Sequence, residues 1–267
     1  MDGLERMERG GVTMVGGRAG AVAFGFTERT GGVSEPPFAS LNLGGHVGDD
    51  ASAVAENRLR VLAALGAGRA APSLLMPNQV HGDHVAIVRS SSAAELERVR
   101  AEISRGADGI VCTAPDVPVM LCFADCVPVV LVAPGGFAVV HSGWKGTYAR
   151  IAGKAARMLA HEAGASVRDV RAYIGPHILG DEYEVSPELI SHFEERFHDV
   201  HPAGPRLLDL SRCIVQALTE EGVPAASIVD TGLSTMRLND RFYSYRAEGG
   251  TCGRHAAVAV LFDRAAG

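Results

Sequence analysis

Apolar positions along the chain fall into two rhythms. Short runs rich in Val, Ala and Phe read as strands at 21–26, 85–89, 108–112, 119–123, 127–132, 136–141, 170–174 and 256–262, with shorter candidates at 227–230 and 242–246. Between them, helical spacing appears after Asp50 or Ser52, where Val54, Leu59, Leu62 and Leu65 recur and Gly66 stops the run. Ser92–Arg105 has the composition of an exposed helix. A helix beginning at Thr147 carries Ile151, Ala155, Met158 and Leu159 on one face, with Arg150, Lys154, Arg157 and His161 toward water. Two more are expected from Ser186 to about Phe197 and from Leu210 to Glu221. Neighbouring strand runs joined by hairpin-length loops, mixed with single helices, predict an α+β fold with mixed sheet, in one domain over residues 16–267. Residues 1–15 carry charges of both signs and no apolar core, and read as a loose leader.

The stretch Val117–Pro134 would pass for a membrane span by hydropathy, because Asp125 is its only charge. Pro118 and Pro128 break that reading, and the Val clusters on either side of Ala124–Cys126 suit two buried strands meeting at a polar point. Composition narrows the function. A net charge of -6 argues against nucleic acid or an anionic membrane as partner and favours a small molecule. Five cysteines, an odd number in a long chain, suit reduced thiols in a cytoplasm. The loop over 27–50, rich in Gly, Ser and Asn, is long for a structural connection, and long ordered loops usually carry function.

Three residues at strand ends can do chemistry: His81 in NQVHGDHV, Cys126 in FADCVPVV and His141 in VVHSGWKG. Two imidazoles and a thiolate supply three places around a tetrahedral zinc and leave the fourth for water or substrate, the arrangement of a catalytic site. The same Cys126 and His141 would serve equally as a nucleophile and its base in a thiol hydrolase, and all three residues could also be ordinary satisfied strand ends. His84, and the group His192, His198 and His201, fit a solvated polar face better than a ligand set. Gly143 and Gly146 leave amides open around Trp144 and Lys145, a setting suited to an anion.

Taken in order, TERTGGVS, SLNLGGHVGDD, ENR, NQVHG, ADGIV, ADCVPVVL, HSGWKGT, YIGPHI, YEV and FYSYR resemble the YfiH family, also called the laccase-domain or purine nucleoside phosphorylase family, from about residue 22 to 262. The resemblance implies a cytosolic layered sandwich with zinc on His81, Cys126 and His141. It implies phosphorolysis of adenosine, inosine and methylthioadenosine, and deamination of adenosine. It also implies a more distant likeness to toxin deamidases that pair a Cys with a His. On this reading Asp125 and Cys126 are the catalytic candidates, and Asn42, Arg58, Trp144 and Lys145 the candidate contacts to nucleoside and phosphate. The chain departs from the family at Lys145 for Arg, His177 for Cys, and Ala247 for Arg. Multicopper oxidation is set aside, since 10 histidines without a single H-x-H pair cannot build a copper cluster. A lone copper(II) at the His, Cys, His site stays open, as does a non-enzymatic, metal-dependent regulatory module.

Overall fold

The computed structural model describes residues 4–263. Its elements are, in chain order, β1 (Glu5–Arg9), β2 (Val12–Ala19), β3 (Val22–Thr27), α1 (Ala51–Leu65), β4 (Val85–Val88), α2 (Ala93–Ile103), β5 (Gly109–Cys112), β6 (Val119–Phe123), β7 (Val127–Ala133), β8 (Gly136–Ser142), α3 (Trp144–Tyr148), α4 (Ile151–Glu162), β9 (Arg171–Ile174), α5 (Pro187–Glu194), α6 (Leu210–Glu220), β10 (Ile228–Asp230) and β11 (His255–Leu261). The strands form two sheets. One is antiparallel, in the order β1-β2-β3-β11-β6; the other is mixed, in the order β10-β9-β7-β8-β5-β4, with β10 and β4 running parallel to their neighbours.

Strand parity stacks these sheets. In β11, Ala257, Ala259 and Leu261 face the second sheet, whereas Ala256, Val258 and Val260 face α1. In β7, Val130 and Val132 face the first sheet, whereas Val127, Val129 and Leu131 pack on α4 and α6. Three apolar layers result: one between the sheets, one under α1 with Val61, Leu62 and Leu65, and one under α4–α6 with Leu159, Phe193 and Ile214. This is an α+β sandwich with helices on both outer faces. Each fully buried aliphatic or aromatic side chain contributes about 1.5–3 kcal/mol.

Four differences from the sequence reading have physical causes. The leader is not loose over its described part, since Glu5–Arg9 and Val12–Ala19 form a hairpin; residues 1–3 lie outside the described residues. β1 is a charged edge strand with both faces largely in water, so it lacks an apolar rhythm to read. Residues 242–246 pair with no strand: Ser244 N–H donates to the Glu248 carboxylate and the Glu248 amide returns to Ser244 O, a local turn that takes the place of a sheet ladder. The helix expected from Thr147 is two helices, broken at Arg150, whose φ of 60° is left-handed. That residue is held there by Glu220, the Arg196 carbonyl and the Phe197 ring. Finally, Val117–Pro134 is indeed two strands, but β6 and β7 belong to different sheets, so Ala124–Cys126 is where the chain crosses between them. Among the described residues no helix is long and apolar enough to cross a membrane.

Candidate functional site

The β7–β8 hairpin pairs Pro128 with His141 and Val127 with Ser142. Cys126 has the parity of Val130 and Val132, and His141 that of Phe137 and Val139, so both side chains face the space between the sheets, at its end. The third member arrives on a loop. His81 adopts a left-handed backbone, φ 58°, a conformation that must be held by its surroundings.

Asp108 does the holding. It precedes β5, is fully buried, and accepts hydrogen bonds from three successive amides, those of Val80 (3.2 Å), His81 (3.0 Å) and Gly82 (2.7 Å). Its Oδ1 also accepts from His141 Nδ1 at 2.8 Å, which leaves Nε2 of His141 as the ring's outward nitrogen. Burial pushes the Asp108 carboxyl up, but the His141 bond and the amides outweigh it and keep the pKa below the ordinary value. One carboxylate thus aims two of the three chemical side chains.

The donor atoms of His81, Cys126 and His141 all lie within 4.8 Å of one another. Burial alone would raise the Cys126 thiol, but the charge of His141 and hydrogen bonds from both histidines hold it at about 6. His141 is pushed the other way, to about 9, because the Cys126 thiolate and the Asp108 bond override its burial. A thiolate and two imidazoles, one of them fixed by a buried carboxylate, are a donor set that fits zinc or copper. Gly143 floors the site: a Cβ there would sit 3.1 Å from the His81 ring and 3.3 Å from the Cys126 sulfur.

These residues form one wall of a cavity of about 480 Å³, completed by Gln79, Phe123, Tyr183, Tyr245, Arg246 and Arg254, with His46 at its edge. Gln79 is locked in place by two hydrogen bonds to the Cys122 backbone. Asp125 lines the cavity, with φ 87°, but its carboxylate is engaged: Oδ1 accepts from the Thr235 hydroxyl and Oδ2 from the Arg246 amide, both at 2.6 Å. The other candidates lie outside. Asn42 is buried and fully used, donating to Gly44 O and Asp49 and accepting from the Gly44 and Arg254 amides. Arg58 clasps the Leu43 carbonyl. Trp144 packs against the α4 layer, and Lys145 is exposed, 5.4 Å from the Trp144 ring centre. His84 is exposed and paired with Glu102. His177 is buried and is not among the cavity-lining residues, donating from Nδ1 to Gly175 O.

Sequence reasoning missed Asp108 and His46 as site residues. Asp108 stands in the ADGIV motif and precedes a buried strand, a position where an acid needs a partner; His46 ends the LNLGGH loop already marked as long.

The chain as a whole has relatives. A purine nucleoside phosphorylase from Deinococcus radiodurans is 35% identical over 249 residues, covering 90% of each chain. A protein named adenosine deaminase RL5, from an unknown prokaryotic organism, is 33% identical over 227 residues, covering 81% of this chain and 85% of its own. The crystal structure of the Bacillus licheniformis hypothetical protein YfiH superposes with a TM-score of 0.84 at 29% identity, covering 96% of this chain and 98% of the other. The family model described as multi-copper polyphenol oxidoreductase laccase matches residues 23–262, a span that includes every residue of the His, Cys, His site, and the chain belongs to that family, the YfiH or laccase-domain family.

Proposed function

We propose that this protein is a metal-dependent purine nucleoside enzyme that cleaves adenosine, inosine and methylthioadenosine with phosphate and deaminates adenosine. The observation that carries the reading is the His81, Cys126, His141 cluster on the wall of a cavity whose size falls in the range of about 300–1,000 Å³ usual for small-molecule sites. Relatives named purine nucleoside phosphorylase and adenosine deaminase support the substrate class. Zinc is the ion proposed, with copper(II) as the competitor that such ligands would also bind. A divalent ion held by these three side chains supplies Lewis acidity to whatever occupies the cavity.

The protein's own groups do the rest. Asp108 sets the tautomer of His141 and the backbone of His81, so the donors converge before any ligand arrives. Phe123 and Tyr183 offer flat apolar surface against which a purine would lie. Asp125, a catalytic candidate by the family resemblance, lines the cavity while its carboxylate braces the Thr235 hydroxyl and the Arg246 amide. The five cysteines are free thiols, which suits a reducing cytoplasm.

Metal analysis paired with turnover tests this. Purified protein is expected to carry about one ion per chain, to give hypoxanthine and ribose 1-phosphate from inosine and phosphate, and to release ammonia from adenosine. Metal-loaded protein inert on all these nucleosides would overturn the reading. A second reading has its own support in the low thiol pKa of Cys126 beside a protonated His141, the pairing of a nucleophilic thiol hydrolase. Alkylation separates the two: a metal-bound sulfur is protected until a chelator is added, whereas a free nucleophile reacts at once.

A further inference from the structure

Elsewhere on the fold, guanidinium groups commonly meet carboxylates: Arg6 and Arg241 share Glu28, Arg29 pairs with Glu248, Arg89 with Glu162 and Arg237 with Asp181. Arg254, which lines the cavity, does not. Its Nη1 donates to the carbonyls of Cys252 and Gly253, both at 2.9 Å, and its backbone amide is fixed on Asn42 at 2.8 Å. Its stem packs on Gly44, where a Cβ would come within 2.7 Å of Cγ. One edge of the guanidinium is therefore anchored by neutral acceptors, while Nε and Nη2 have no hydrogen-bond partner among the described residues.

Next to it stands His46, which also lines the cavity and has no hydrogen-bond partner among the described residues. Burial, then the charges of Arg254, Arg58 and His81, keep this imidazole toward its neutral form, a donor without charge of its own. Arg58 stands behind the same loop, held on the Leu43 carbonyl and close against Gly45. The acidic side chain lining this cavity, Asp125, turns its two oxygens to the Thr235 hydroxyl and the Arg246 amide and forms no ion pair with Arg254. A pre-positioned guanidinium with open donors, an open imidazole and a second guanidinium behind them, none of them ion-paired to a carboxylate among the described residues, form a donor set that a dianion completes.

We propose that Arg254 and His46 form the subsite for inorganic phosphate, with Arg58 adding field from behind the loop. This assignment rests on the nucleoside reading above. It replaces Lys145, which lies exposed and outside the cavity, and gives Arg58 an indirect part.

The test exploits the two reactions, because phosphorolysis needs phosphate and deamination does not. In Arg254→Gln, KM for phosphate with inosine is expected to rise about tenfold or more, as loss of a charge-assisted contact implies, and His46→Gln to raise it about threefold. Arg254→Lys recovers part of the loss, having charge without the fork. Metal content stays at the wild-type level, and phosphorolysis loses at least about threefold more than adenosine deamination, which has no phosphate contact to lose. An unchanged phosphate KM, or phosphorolysis and deamination falling in parallel, overturns the subsite. Should the wild type catalyse neither reaction, the nucleoside reading fails on its own, and calorimetric titration with inorganic phosphate still decides: binding lost in Arg254→Gln upholds the subsite, and no binding to the metal-loaded wild type overturns it. Binding of adenosine 5'-monophosphate alone, weakened by the same substitution, also counts against free phosphate.

Discussion

The space between the sheets opens at both ends, and the larger opening is the less equipped. At one end lies the cavity of about 480 Å³ with the His, Cys, His cluster; at the other, a groove of about 930 Å³ bounded by Ala19–Val22, Val132–Gly135 and the end of β11, with Arg168, Asp169 and Ser227 at its rim. β7 joins them, starting beside Cys126 and ending at the groove. The groove forms where two tight hairpins turn, at Gly20 (φ 60°) and Gly135 (φ 88°), and its walls are mostly small or aliphatic. Volume marks the place where turns pack poorly; function is marked by donor atoms that converge and are braced from behind.

That contrast can be broken or sharpened by substitution. The largest effects are expected at the cluster itself: Cys126→Ser and His81→Ala lose the ion by metal analysis and nearly all turnover, and full metal retention in both would dissolve the distinction between the two ends. Asp108→Asn keeps the ligands but weakens their aim, and metal affinity should fall about 10–100-fold in a competition titration. Gly143→Ala presses a methyl group between the His81 ring and the sulfur; we expect a destabilisation of about 1–3 kcal/mol and a severalfold weaker metal affinity, read by denaturation and the same titration. Acid should act on the cluster end too. His255 is buried between Phe123 and Phe242, and burial, with the charge of Arg254, lowers its pKa to about 3. Below the ordinary pKa near 6.5, the unfolded chain takes a proton that the folded one refuses, so stability declines as pH falls from about 6.5 toward 3. His255→Phe should flatten that part of the pH–stability curve. The smallest effects belong to the groove: Arg168→Ala and Ser227→Ala should shift stability by no more than about 0.5 kcal/mol and leave turnover within about twofold.

Much of this was legible in the chain. Continuous Val-rich runs located β6, β7 and β8, and strand parity places Cys126 and His141 on one side, because both follow the parity of buried valines. What could not be read is what depends on distant pairing. The ERMER strand is held by β2 and by the Arg6–Glu28 contact, without an apolar face of its own. Asp108 matters because β5 lies beside β8 and the 80–82 loop folds back over it, a meeting of segments 27 and 33 residues away. Asn42, a candidate contact by the family resemblance alone, fastens its own loop from inside. Polar residues in such loops serve the backbone as often as the substrate, and only the list of their partners tells which.

The crossing at Ala124–Cys126 has one more consequence. Within three residues the chain leaves one sheet and enters the other, and the register of β7 against β8 and β9 then decides which way the sulfur at its head points. A slip of β7 by one residue against its neighbours would turn the sulfur toward α4 and, in the same step, exchange the inward and outward valines of β7. Sulfur and valines share one reading frame in space, and an error in that frame would be rejected as misfolding before it could survive as an inactive enzyme.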